Sequence, residues 1–75
     1  MKELIEYIAR SIVNAPDAVV VTEEQLEGVI TLKLQVADED KGRVIGKQGR
    51  IAEAMRTLIR VKAAKAGTKA TLEIL

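Results

Sequence analysis

Residues 44–50 read Val44-Ile45-Gly46-Lys47-Gln48-Gly49-Arg50, which sets the tetrapeptide Gly-Lys-Gln-Gly between two segments of helical pattern. Glycine lets the backbone turn through positive φ and lets another backbone approach it closely. A helix beginning at Gln48 or Gly49 would point its unpaired N–H groups and its positive dipole end over this turn. Lys47 and Arg50 add two cations beside that end. The pattern therefore predicts a turn that binds phosphate.

The patterns on either side of this turn predict an α+β fold in which three helices cover one face of a three-stranded sheet. The expected order is α-β-β-α-α-β, with elements over residues 2–14, 18–22, 29–36, 38–45, 48–66 and 69–75. Apolar and polar residues alternate over 29–36, as in a strand that is covered on one face only. Gly28 is expected to turn the hairpin, Asp38-Glu39-Asp40 offers an N-cap for the next helix, and Gly67 stops the long helix.

Size and composition exclude several classes of protein. The chain has 75 residues, which predicts one domain over 1–75, and it contains no cysteine and no histidine. A disulfide framework, a structural zinc site and histidine-based acid–base chemistry are therefore excluded. No nucleophile has a base beside it, so we expect no catalysis, no metal and no cofactor. The amino terminus is acidic and no apolar run is long enough to cross a bilayer, which predicts a cytoplasmic protein without a membrane segment.

The charges are divided unevenly along the chain. Residues 1–40 carry nine acids and three bases, a net charge of −6, whereas residues 41–75 carry two acids and nine bases, a net charge of +7. Lys41, Arg43, Lys47 and Arg50 lie within ten residues that contain no acid. This cluster favours a binding surface for an anionic partner. A P-loop is not that surface, because Gly42 to Gln48 misses both its spacing and its magnesium-binding hydroxyl.

The long helix over 48–66 has a wide apolar arc of about 200°, against the ~100° of a helix with one buried face. One stripe holds Ile51, Ala54, Met55, Leu58 and Val61. A neighbouring stripe holds Ala52, Ile59, Ala63 and Ala66. Two interpretations stay open: an ordinary alanine-rich helix, or a second contact with another copy of the chain. For the second, the predicted dimer residues are Ala52, Met55, Ile59 and Ala63.

The Ile45-Gly46-Lys47-Gln48-Gly49 run, set between two helices in this element order, resembles the KH nucleic-acid-binding domain in its bacterial type II topology. Nearly all of residues 1–75 resembles the small stand-alone KH proteins of bacteria, the KhpA family. The resemblance implies that Gly46, Lys47, Gln48 and Gly49 clamp the backbone of single-stranded RNA, while the bases lie over an apolar groove. It implies further that the groove is lined by Gly42, Arg43 and Ile45 and that Arg50 reaches phosphate. Val44 or Ile45 is the apolar contact from the first helix of the pair.

The same resemblance implies partners and a biological role. Single-stranded RNA is the expected ligand, with single-stranded DNA as the alternative, and a homodimer or a heterodimer with a larger KH protein of the KhpB/Jag type is the expected assembly. An RNA chaperone or post-transcriptional regulator, linked to cell shape, would fit. The alternative is a protein-interaction or ribosome-associated module in which RNA binding is secondary. This chain departs from the family pattern at Ile51 and Ala52, where a small polar and a large aliphatic residue are common.

Overall fold

In the computed structural model, which describes residues 1–75, helices and strands follow the predicted order. The helices are α1 (Lys2–Ile12), α2 (Lys41–Ile45) and α3 (Arg50–Lys65), and the strands are β1 (Val20–Leu26), β2 (Val29–Gln35) and β3 (Lys69–Ile74). Single 3₁₀ turns cover Pro16–Ala18, Asp38–Asp40 and Lys47–Gly49. The predicted α+β fold with three helices and one three-stranded sheet is confirmed. None of the helices is long and apolar enough to cross a membrane.

The sheet has the order β1-β2-β3, antiparallel between the first two strands and parallel between the last two. A parallel pair needs a crossover connection, and α2 and α3 supply it between β2 and β3. In β2 the side chains of Ile30, Leu32 and Leu34 are buried, whereas the residues between them are only half-buried. The prediction that one face of this strand is covered is therefore confirmed, and the crossover places the α2–α3 turn on the covered side.

The hairpin between β1 and β2 is tighter than predicted. Strand β1 extends to Leu26, which pairs with Val29, so only Glu27 and Gly28 form the turn. Both have positive φ, at 52° and 79°, which matches the twist that a two-residue hairpin requires. The sequence-based end of β1 at Thr22 was too early, because the polar residues after it continue the pairing with β2.

The core lies between the sheet and the three helices. It is a cluster of 14 buried side chains, to which α1 contributes Ile5 and Ala9 and α2 contributes Val44. The remaining helical members come from α3 and are Met55, Ile59 and Ala63. Because α2 and α3 both enter this cluster, the turn that joins them is held at both ends by packed helices.

The buried face of α3 holds the four residues that the sequence predicted to contact a second copy. Ala52, Met55, Ile59 and Ala63 are each 3% exposed or less. Met55, Ile59 and Ala63 belong to the core cluster, and Ala52 is buried within the chain as well. The prediction that these four residues contact a second copy is therefore corrected. The small side chain of Ala63, which shares the core cluster with Ala70 and Leu72 of β3, lets the helix axis lie close to the sheet there, since the side chains at a contact set the packing distance.

The larger residues of the other stripe are the ones left in solvent. Ile51 is 37% exposed, Leu58 47% and Val61 51%. The wide apolar arc of the sequence is thus present in the structure, where one side of it is buried and the side with Ile51, Leu58 and Val61 is exposed. A single domain leaves this second half of the arc uncovered.

Candidate nucleic-acid interface

The turn between α2 and α3 is built from three residues with positive φ. Gly46 has φ 78° and ψ 172°, Gln48 has φ 57°, and Gly49 has φ 72°. The Gly46 N–H closes α2 on the Gly42 carbonyl at 2.9 Å, and the Gly49 N–H donates to the Gly46 carbonyl at 3.1 Å. Helix α3 begins at Arg50, slightly later than predicted, because Gly49 in the left-handed region serves as its N-cap. The chain thus passes from α2 to α3 through four residues.

Glycine is required at position 46 for two separate reasons. Its φ and ψ lie in a region that is essentially restricted to glycine. A Cβ placed there would also lie 2.7 Å from Cγ1 of Ile51, so the side chain of Ile51 occupies the space above the Gly46 backbone. At Gly49 only the positive φ demands glycine, since no atom lies within 4 Å of an added Cβ. The contact with Ile51 holds the first half of the turn against the first turn of α3.

The polar side chains of the turn are exposed and close together. Lys47, Gln48 and Arg50 line a shallow depression, and Nη2 of Arg50 lies 3.5 Å from Oε1 of Gln48. Neither Lys47 nor Arg50 has a carboxylate within the 4.0 Å of an ion pair. Their charge is therefore not neutralised within the chain, and both cations remain available to an anionic ligand.

Helix α2 contributes the other predicted residues. Gly42 and Arg43 are exposed, and no atom lies within 4 Å of a Cβ added at Gly42, so the surface above it is open. Of the two apolar candidates, Val44 is fully buried in the core and Ile45 is 40% exposed. Ile45 is therefore the side chain that α2 presents next to the turn.

Asp40 is the residue of this region that sequence reasoning misread. The run Asp38-Glu39-Asp40 was expected to supply an N-cap, and Asp40 does occupy the N-cap position of α2, yet its side chain makes no capping bond there and is fully buried. Its carboxylate accepts the backbone N–H groups of Asn14 and Ala15 at 3.1 and 3.0 Å, and Oδ1 lies 3.5 Å from Nε of Arg43. The backbone donors come from the α1–β1 connection, about 25 residues earlier in the chain, so no local pattern could reveal them.

A second feature absent from the predicted site is a groove between α3 and the free edge of β3. Its lining residues are Arg56, Ile59, Arg60, Ala70, Thr71 and Leu72. Arg56 donates from Nε to the Leu72 carbonyl at 3.4 Å, and Glu53 pairs with Arg56 and Arg60 at 3.8 and 3.5 Å. These two arginines thus have partners within the chain, unlike the cations of the turn. No group of acidic side chains is arranged to hold a metal ion.

The sequence that forms this site was compared with those of known proteins. Residues 2–74 match the family model described as KhpA/KhpB, KH domain. The chain is 52% identical over 75 residues to the RNA-binding protein KhpA of Clostridium acetobutylicum and 51% identical to that of Clostridium perfringens, with complete coverage of both chains in each case. It is 51% identical over 74 residues to the RNA-binding protein KhpA of Treponema pallidum, covering 99% of this chain and 92% of that one. No solved structure matches the chain. The matched residues include every helix and strand described above.

Proposed function

Because the chain belongs to the KhpA/KhpB family of KH domains, we propose that it is a non-catalytic protein that holds the backbone of single-stranded RNA in its Gly46–Gly49 loop. The observation that carries this proposal is the pair Lys47 and Arg50, two cations without a carboxylate partner, at a turn with three positive-φ residues. Its curated relatives are named RNA-binding proteins. A KH loop of this kind clamps about four nucleotides.

The roles of the residues follow from their chemistry. Gly46 and Gly49 carry no side chain, so the sugar–phosphate backbone can come close to the turn. Lys47 and Arg50 donate charge-assisted hydrogen bonds to phosphate oxygens, and the first N–H groups of α3 add their partial positive charge. Gln48 supplies a neutral donor and acceptor beside them. On the facing side, Ile45 gives a base an apolar surface and Gly42 leaves room for it.

The direct test is the variant Lys47→Asp/Gln48→Asp. Both side chains are exposed on the turn, and aspartate tolerates the left-handed conformation of Gln48 better than most residues. We expect loss of binding to single-stranded RNA by fluorescence anisotropy, with an unchanged circular dichroism spectrum. The matched control is Ala64→Glu/Lys65→Glu, which makes the same change in net charge at the exposed far end of α3. The clamp assignment is wrong if both variants lose affinity equally, or if neither does.

We propose further that the chain forms a dimer through the exposed stripe of α3. Ile51, Leu58 and Val61 supply the apolar area that a single domain leaves uncovered. The stripe starts beside the clamp, because Ile51 also covers Gly46. A twofold dimer would present two clamps to one RNA strand and bind it more tightly than either alone. A larger KH protein that covers the same stripe is the second possible partner.

The dimer proposal is tested with Leu58→Glu. A buried glutamate in the contact would convert the dimer to a monomer, which light scattering measures at micromolar concentration. Leu26→Glu is the control, because Leu26 is a more exposed leucine at the hairpin end, at 75% against 47%. A parent chain that is already monomeric in the absence of other proteins contradicts the homodimer and leaves the heterodimer to be tested with the partner.

The wider biological role stays a prediction. Action as an RNA chaperone or post-transcriptional regulator in the cytoplasm is consistent with a small chain that grips a backbone without a base-stacking aromatic surface. A ribosome-associated role is the alternative. Crosslinking in cells followed by sequencing of the bound RNA separates them, because a ribosome-associated protein would recover ribosomal RNA and a regulator would recover messenger or small RNAs.

A further inference from the structure

Asp40 is the single buried charged residue of the chain, and it lies three residues before Arg43. We propose that Asp40 is a positioning residue for RNA binding, which holds the guanidinium of Arg43 in the orientation that meets the bound strand. This inference rests on the proposed function, since it assigns a partner to Arg43, the cation on α2 beside the Gly46–Gly49 loop. It concerns the orientation in which Arg43 offers its guanidinium to the RNA.

The carboxylate of Asp40 cannot move to follow Arg43. Oδ1 accepts the N–H of Asn14 at 3.1 Å and Oδ2 accepts the N–H of Ala15 at 3.0 Å, so both oxygens are tied to the backbone after α1. A buried carboxylate is costly unless it is paired and hydrogen-bonded. The Asp40 carboxylate is therefore the fixed group, and the Arg43 side chain lies against it with Nε 3.5 Å from Oδ1.

This ion pair is made on the Nε side of the guanidinium, without a hydrogen bond to Asp40. Arginine has five N–H donors in a planar fork, so all five remain available to a ligand. The Arg43 side chain is 53% exposed, and neither terminal nitrogen has a hydrogen bond or makes that ion-pair contact, so both stay free for a ligand on α2, next to the turn. Since the ion pair removes rotations of the long side chain before RNA arrives, less freedom is lost on binding.

A neighbouring ion pair supplies the contrast. Lys41 lies 3.3 Å from Asp38, but the Asp38 side chain is 94% exposed and makes no other contact of this kind. Such surface pairs are screened and hold neither partner in place. Asp38 and Asp40 thus have the same charge and nearly the same position in the chain, and they differ in whether they are immobilised.

Simple electrostatics and positioning predict effects of opposite sign. Removing a carboxylate near a polyanion should tighten binding if charge alone matters. If Asp40 positions Arg43, Asp40→Asn should instead weaken binding by about two- to tenfold, the range for immobilising one long side chain on complex formation. Asp38→Asn should leave the affinity unchanged or slightly raise it.

The experiment measures Kd for a fluorescein-labelled single-stranded poly(U) oligonucleotide at constant salt. The chains compared are the parent, Asp40→Asn, Asp38→Asn, Arg43→Ala and the double variant Asp40→Asn/Arg43→Ala. We expect the loss caused by Asp40→Asn to vanish when Arg43 is already alanine, because the effect passes through that side chain. A loss of equal size in both backgrounds would mean that Asp40 acts through the fold, which overturns the inference.

Two further outcomes are decisive. Binding by Asp40→Asn that equals or exceeds the parent's overturns the inference alone, whereas a parent that does not bind the RNA overturns the proposed function as well. If Asp40→Asn does not fold by circular dichroism, Arg43→Lys replaces it. Lysine keeps the charge, but its single ammonium cannot hold Asp40 and a phosphate as a planar fork can. We then expect a two- to tenfold loss, and parental affinity would refute positioning.

Discussion

Replacing Lys47 and Arg50 by alanine should remove most of the electrostatic component of RNA binding. Both side chains are exposed and lack a carboxylate partner, so their loss costs no contact within the core. Arg43 would remain as the third cation of the site. The helix start is preserved as well, since alanine at Arg50 favours α3 and the glycines that shape the turn are unchanged.

The size of the effect follows from counterion release. Each phosphate contact on a single strand contributes about 0.7 to the slope of log K against log salt. Three contacts predict a slope of roughly −2, and one contact predicts about −0.7. The plots of log K against log salt for the parent and the double variant should meet near 1 M salt, where the electrostatic term vanishes. Because their slopes differ by about 1.4, the double variant should bind about 25-fold more weakly at 0.1 M salt.

Fluorescence anisotropy titrations over a range of salt concentrations measure both quantities. Lys62→Ala/Lys65→Ala is the matched control, since it removes the same charge about 18 Å or more along α3 from Arg50. Both lysines are exposed in the last turns of that helix. The control should keep the parental slope. Equal slopes for the two double variants would refute the assignment of Lys47 and Arg50, because the charge of the whole chain, not of the clamp, would then set the affinity.

Two stability predictions follow from the packing of α3. Ile59→Ala should lower the free energy of unfolding by about 2–5 kcal/mol in a urea titration, whereas Leu58→Ala should change it by less than about 0.5 kcal/mol in the monomer; equal losses would contradict the burial described for this helix. Gly49→Ala should cost about 1–2 kcal/mol for its left-handed φ, and Gly46→Ala should cost more because of Ile51. Adding Ile51→Ala should restore part of the stability lost in Gly46→Ala and none of that lost in Gly49→Ala. Equal restoration in both would show that the contact between residue 46 and Ile51 is not the cause of the larger loss at Gly46.

Much of the fold could be predicted because its signals are local. The alternation in β2 follows from the two-residue period of a strand, and Gly28 and Gly67 have the positive φ that their turns require. The glycines of the α2–α3 turn were found for the same reason. The end of β1 was missed because pairing with β2 extends a strand through residues that have no apolar pattern of their own.

The face of α3 could not be chosen from its sequence. Two apolar stripes lie side by side, and periodicity measures how apolar each stripe is without saying how closely it can approach a sheet. The stripe with the larger side chains, including Leu58 and Val61, was the natural candidate for the core. In the structure the stripe with Ile59 and Ala63 packs in the core instead, where the small side chain of Ala63 lets the helix backbone come near the sheet.

The sequence by itself determined the order of the elements, the glycine turn and the concentration of bases around it, because each depends on residues next to one another in the chain. The tertiary structure alone decided that Val44 is core and Ile45 exposed, and that Asp40 is tied to the N–H groups of Asn14 and Ala15. These outcomes depend on contacts between segments far apart in sequence. The turn that offers cations to a phosphate is therefore local, while the presentation of Arg43 beside it depends on the whole fold.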